Sequence, residues 1–267
     1  MLINGILYNS EAWQNITEDE YKLLEEVDTY FLRRLLGAHS KTTTAFLHLE
    51  TGTLPIRFIV ANRRLVYYYN IMSRNNGELI QRVFQSQAEK PTKGDWFHTI
   101  TEDFMMIKED MAEYDMDSIR NMQFNAYKKF IKKKIQEAAF NYLEAEKSSR
   151  SKVMNIKYKK LATQKYIKSN QFTNQEVYLL SRLRSRNIAV KDNFSGMYPD
   201  TLCSLGCLET ESQQHLLECK PLVEKSNLKS VIGSMQYSDI FGPEKRQKIA
   251  VLVYSELLKV REEILNK

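Results

Sequence analysis

CSLGCLETESQQHLLEC, residues 203–219, contains all three cysteines of the chain and one of its four histidines. Its reading decides whether an otherwise helical chain encloses a metal-nucleated knot or only three small apolar side chains. A metal held by thiolates and imidazole takes four ligands at tetrahedral corners, commonly two on a tight turn and two on a following turn or helix. The spacing here is Cys203-x3-Cys207-x7-His215-x3-Cys219. Gly206 lets the backbone turn inside the first pair, and His215 and Cys219, four apart, share one face if QQHLLEC is helical. Free cysteine is among the most buried residue types, so any one of the three alone reads as core. Three within 17 residues, with a histidine between the last two, read as a zinc site with ligands Cys203, Cys207, His215 and Cys219. No position is left open for a reactant, so that zinc is structural. His39, His48 and His98 lack such neighbours and read as surface or satisfied core residues.

Around this knot the chain reads as helix. Of 267 residues only 9 are glycine and 5 proline, too few for many strands joined by tight turns. Apolar residues at 43% and aromatics at 11% suffice for a packed core. Thr17 and Glu20 form a capping box ahead of Leu24, Val27, Phe31 and Leu35, and Gly37 supplies the stop. A second helix opens near Pro55 and ends at Asn75-Asn76-Gly77. GELIQRVFQSQ and WFHTITEDFMMIKEDM follow as helices around the loop EKPTKGD. The longest candidate runs from Met116 to Ser148, with Ile119, Met122, Tyr127, Phe130, Ile131, Ile135 and Phe140 as its apolar stripe. KYKKLATQKYIKSN reads as a short basic helix, and Thr173 with Glu176 makes a second capping box. Pro243 opens a long terminal helix. MLINGILY, short and apolar, is the one candidate strand. The expected fold class is mainly α: a helical bundle, a small Cys/His knuckle, then a C-terminal helix. The segments divide as 1–115, 116–195 (basic), 196–230 (knuckle) and 231–267 (terminal helix).

The net charge of +6 conceals an asymmetry. From Lys128 to Lys191 there are 17 Lys or Arg against Glu137, Glu144, Glu146 and Glu176, which leaves the remainder mildly acidic. Such a segment points to a polyanion partner, RNA or DNA. Lys128, Lys129, Lys132 and Lys133 form a cationic helix face. Arg182, Arg184, Arg186 and Lys191 offer further phosphate contacts, with Arg182 and Arg186 on one helical face. Tyr127, Tyr142, Tyr158, Tyr166 and Phe194 interleave with these charges and suit base stacking, although at helical spacing aromatics also serve as core.

Neither a signal peptide nor a run of about 18 apolar residues is evident, so an intracellular protein without membrane contact is expected, nucleus or cytoplasm, the nucleus suiting its function better. Phosphate-binding glycine loops and nucleophile elbows are absent, and Asp-Asp does not occur. The acid pairs Glu102-Asp103 and Glu109-Asp110 read as solvated faces, and no catalytic constellation emerges.

GILYNSEAW, LETGTLPIRFIVANRRLVYYYNIMSR, KGDWFHTITED and SRLRSRNIAVKDNF, in that order and followed by the cysteine knot, resemble the C-terminal region of non-LTR (LINE-type) retrotransposon reverse transcriptases. The last knot gap, His215-x3-Cys219, is one residue shorter than the family's. The resemblance implies that 1–115 is a thumb- and linker-like region and that the knot is a CCHC zinc knuckle. It further implies that the polymerase core with its catalytic aspartates lies upstream of Met1, and that this segment helps position template RNA and target DNA in target-primed reverse transcription. The remainder of the reverse transcriptase would then be a further partner. A helical protein-interaction module with a purely structural zinc site is the alternative.

Overall fold

Both capping boxes form. In the computed structural model, which describes residues 2–74 and 78–266, the Thr17 hydroxyl accepts from the Glu20 N–H and the Glu20 carboxylate accepts from the Thr17 N–H at 2.8 Å. Thr173 and Glu176 repeat the arrangement. In chain order the helices are α1 (Leu2–Ile6), α2 (Glu18–Leu36), α3 (Thr44–Thr51), α4 (Ile56–Met72), α5 (Leu79–Glu89), α6 (Trp96–Met106), α7 (Met116–Asn121) and α8 (Phe124–Ser148). They continue as α9 (Lys165–Lys168), α10 (Asn174–Arg184), α11 (Gln213–Glu218), α12 (Lys220–Lys225), α13 (Lys229–Gly233) and α14 (Glu244–Leu265). No strand occurs among the described residues, and the β pairing present is an isolated antiparallel bridge between Leu202 and Thr210. The fold is therefore mainly helical, with a Cys/His cluster followed by a C-terminal helix.

Several segments depart from their sequence reading. MLINGILY is not a strand: Leu2–Ile6 is helical, and a short apolar run carries no period that separates the two states. α2 buries Tyr21, Leu32 and Leu36, while Val27, Phe31 and Leu35 are exposed. Large apolar side chains occur all round this helix, so its sequence supports two stripes and only packing selects one. The helix read through 96–111 stops at Met106, with Lys108 left-handed at φ 59°. The 116–148 helix is broken at Met122, whose extended backbone presents its carbonyl to the Tyr69 hydroxyl at 2.7 Å. Only Lys165–Lys168 of KYKKLATQKYIKSN is helical. The end of α4 read at Asn75-Asn76-Gly77 lies outside the described residues.

The chain divides into two compact units. The first is Met1–Tyr30, Gly52–Ala145 and Lys159–Leu161, and the second is Phe31–Thr51, Glu146–Tyr158 and Ala162–Lys267. The core of the first is built on α4, whose Leu65, Tyr68 and Ile71 meet Phe84, Ile100, Phe104, Tyr127 and Ile131. Each such large side chain, fully buried, contributes roughly 1.5–3 kcal/mol. Inside this core Arg64 grips Asp103 with two hydrogen bonds, at 2.6 and 2.7 Å. Asp103 is thus buried and paired, not part of a solvated acidic face. The core of the second unit is formed by α10, α11, α12 and α14 through Leu180, Leu183, Leu216, Leu222, Val253, Tyr254 and Leu257.

Candidate metal centre

The knot is assembled from two short pieces of backbone. Leu202 and Thr210 pair across a small loop, and the Cys203 N–H donates to the Glu209 carbonyl at 2.7 Å. Between them Gly206 at φ 81° and Leu208 at φ 59° take left-handed conformations that fold the loop back. This places Cys203 and Cys207 on one rim. The other rim is α11. Ser212 caps it by accepting from the His215 N–H at 3.1 Å, and Cys219 sits at its C-terminal boundary, donating its N–H to the His215 carbonyl at 2.8 Å. The three-residue gap between His215 and Cys219 thus puts both candidate ligands on consecutive turns of one face.

The ligand atoms of Cys203, Cys207, His215 and Cys219 all lie within 4.8 Å of one another. Cys219 Sγ stands 4.0 Å from Cys203 Sγ and 3.5 Å from Cys207 Sγ. Tetrahedral sites with metal–sulfur bonds of about 2.3 Å space their sulfurs about 3.8 Å apart, so these distances match such a shell. They are far too long for disulfides, whose sulfurs lie about 2.05 Å apart. His215 supplies a further fit. Its Nδ1 stands 2.9 Å from Glu209 Oε2, while its buried Nε2 has no hydrogen-bond partner. A carboxylate on one imidazole nitrogen that leaves the other for the metal is the usual second layer of a histidine-ligated site. Burial and the adjoining Cys207 push the Cys219 thiol up to about 12, a balance that a bound divalent cation reverses. The four side chains can hold a metal ion.

Glu211 ties the knot to the rest of its unit. Buried, it accepts from the Ser204 N–H at 2.8 Å and from Arg261 of α14 at 2.5 Å. Burial alone would raise its carboxyl, but the Ser204 hydrogen bonds and Arg261 hold it below the usual range. Gln213 donates to the Leu183 carbonyl at the end of α10, and Tyr254 donates to the Gln213 carbonyl. Neither glutamate was singled out in the sequence; the signal was an acid at each of two positions between ligands Cys207 and His215.

The basic residues part company. Lys128, Lys129, Lys132 and Lys133 are exposed along α8, while Tyr127, Ile131 and Ile135 on its other face are buried. Lys133 lies 3.9 Å from Glu137, and Lys128 sits 5.9 Å from the Phe124 ring centre. Lys128 also lines a 510 Å³ groove with Asn4, Asn62, Asn70 and the highly exposed Tyr8.

The arginine run does not form a comparable face. Arg184 is buried: its Nε and Nη2 donate to Glu50 Oε1 at 3.1 and 2.8 Å, and its Nη1 to the Ile240 carbonyl at 3.2 Å. Tyr158 and Tyr166 donate to the same Glu50 carboxylate at 2.5 and 2.8 Å. A guanidinium so enclosed is a packing element, which corrects its reading as a phosphate contact. α10 ends at Arg184, and Arg186 follows in a left-handed conformation at φ 52°, paired with Asp192 at 2.7 Å, so Arg182 and Arg186 share no helical face. Arg182 is exposed and donates to the Gly37 carbonyl, and Lys191 pairs with Asp200 at 3.1 Å. Of the interleaved aromatics, Tyr127 and Tyr166 are core, whereas Tyr142 is 41% exposed.

The fold and site define a class: a mainly helical chain with a three-cysteine, one-histidine candidate metal centre. Comparison with protein-family models, curated proteins and solved structures finds no match. Among the described residues, no helix is long and apolar enough to cross a membrane.

Proposed function

We propose that this chain is a nucleic-acid-binding segment of a non-LTR retrotransposon reverse transcriptase, without a polymerase active site of its own, and that its metal centre holds a structural zinc. The observation that carries the binding role is the α8 face, where four exposed lysines lie over a buried apolar stripe. The adjoining asparagine- and tyrosine-lined groove supports single strands in particular, since amides can bond base edges and an exposed ring can stack on a base. The family assignment rests on the order of the sequence landmarks. Template RNA and target DNA are the corresponding partners, and the nucleus is where that role would be exercised.

Zinc is favoured by the ligand set. Three thiolates and an imidazole at tetrahedral spacing suit it, and hard cations such as magnesium and calcium prefer oxygen. With four protein ligands the ion would staple the loop 203–210 to α11 and leave no position for a reactant.

The test is a titration of a structured RNA and a single-stranded DNA into the protein at several salt concentrations, before and after chelation. Binding should weaken steeply with salt, by about 0.7 in log–log slope for each single-strand phosphate neutralised. Replacing Lys128, Lys129, Lys132 and Lys133 by glutamine should remove most of it. Absence of binding at low salt would overturn the reading and favour the protein-interaction module.

A further inference from the structure

Within the second unit a cavity of about 790 Å³ opens beside the start of α14. Its volume falls in the range of roughly 300–1,000 Å³ typical of small-molecule sites. Lys157, Lys165 and Lys245 all line it, and each is exposed. By contrast, Lys22, Lys134, Lys191 and Lys248 each stand within about 3.1 Å of a carboxylate oxygen. Among the described residues, the side-chain ammonium groups of Lys157, Lys165 and Lys245 form no ion pair or hydrogen bond. Glu244 is the one carboxylate in the lining, and the Arg184 guanidinium at the wall is already neutralised by Glu50. Cations gathered on one concavity repel one another, and an anion with several oxygens relieves that repulsion. Phosphate is such an anion.

The rest of the lining specifies more than phosphate. Phe241 is 39% exposed, with its ring braced by the Arg184 guanidinium 5.2 Å from its centre. A half-exposed, fixed aromatic ring is a stacking platform for a base. Gln164 and Gln247 add amides that can meet base or sugar edges. No side chain caps α14 at Pro243, so the positive end of this helix of 22 residues adds to the field.

We propose that this cavity holds one phosphorylated nucleotide, with its phosphate against Lys157, Lys165 and Lys245 and its base against Phe241. The nucleotide can be free or a unit of a single strand; only the strand-bound form rests on the nucleic-acid reading above.

The experiment uses the full chain and three variants. One combines Lys157→Gln, Lys165→Gln and Lys245→Gln, the second is Phe241→Leu, and the third replaces the four α8 lysines by glutamine. Each is titrated with adenosine monophosphate and, separately, with a labelled short single-stranded oligonucleotide, with circular dichroism to verify folding. The triple variant should lose adenosine monophosphate binding by about tenfold or more while the α8 variant retains it. Phe241→Leu should weaken it by about tenfold, the effect of losing one stacking platform, with an unchanged salt slope. If the strand binds through the cavity, the triple variant also flattens its salt dependence; an unaffected strand assigns the site to free nucleotides. A chain that binds no strand but binds adenosine monophosphate through these lysines refutes the broader reading and keeps this one. Failure of the wild-type chain to bind adenosine monophosphate, or binding indifferent to the triple variant and to Phe241→Leu, would overturn the proposal.

Discussion

The cysteine knot and the basic segment are both clusters of one chemistry in the sequence, yet the fold gathers the first and disperses the second. Cys203, Cys207, His215 and Cys219 bring their ligand atoms within 4.8 Å of one another. The cations of 128–191 scatter: four lie exposed on α8, Arg186 and Lys191 enter ion pairs, and Arg184 is buried against Glu50. The difference lies in what each side chain can do elsewhere. Three thiols and an imidazole at short spacing have a single shared use, tetrahedral coordination. An arginine has several, because its long stem packs while its planar head pairs with carboxylates and carbonyls.

The largest expected effect separates the two regions by stability. Chelation, or Cys219→Ser, should lower the unfolding free energy of the second unit by about 3 kcal/mol or more, since binding energy at a structural metal is folding energy. Denaturant melts with and without zinc measure this; unchanged melts would reduce the knot to three core cysteines.

Glu50→Gln comes next. It leaves the Arg184 charge buried without its counter-ion, a change that costs about 3–5 kcal/mol. The double replacement by leucines should cost less than the sum of the single ones. Equal and additive small losses would return Arg184 to the list of surface contacts.

Much of this was legible beforehand, for physical reasons that differ by element. The capping boxes at Thr17 and Thr173 are local, closed within four residues, and so appear in the sequence as they do in space. The four candidate ligands span 17 residues, and their spacing fixes a turn and a helix face. The Glu50–Arg184 pair joins positions 134 residues apart, and no local pattern marks it. Asp103 is the same case, since its partner Arg64 lies on another helix. Nor does sequence choose between two apolar stripes on α2; that choice is made by what packs against it.

Smaller effects sharpen the comparison at the surface. Burial pushes the Glu176 carboxyl up, but Lys248 and the Thr173 hydrogen bonds outweigh it and hold it below the usual range. A depressed folded value contributes stability above the unfolded value of about 4.3, lost as pH falls through the folded one. Glu176→Gln should therefore flatten the acid limb of the stability profile below about pH 4.3, while Thr173→Ala should cost about 1 kcal/mol from the lost cap.

The smallest stability change should come from replacing Lys128, Lys129, Lys132 and Lys133 by glutamine. These exposed side chains should alter unfolding by no more than about 0.5 kcal/mol. Their effect belongs in nucleic-acid binding and its salt slope. A large loss of stability would make α8 a structural face after all.

The most direct measurement is metal content combined with X-ray absorption at the metal edge, on protein purified without added metal and then titrated with zinc. One zinc per chain, with three sulfurs at about 2.3 Å and one nitrogen at about 2.0 Å, is the predicted result. Failure to retain stoichiometric zinc, or a shell with a different sulfur count, would contradict it.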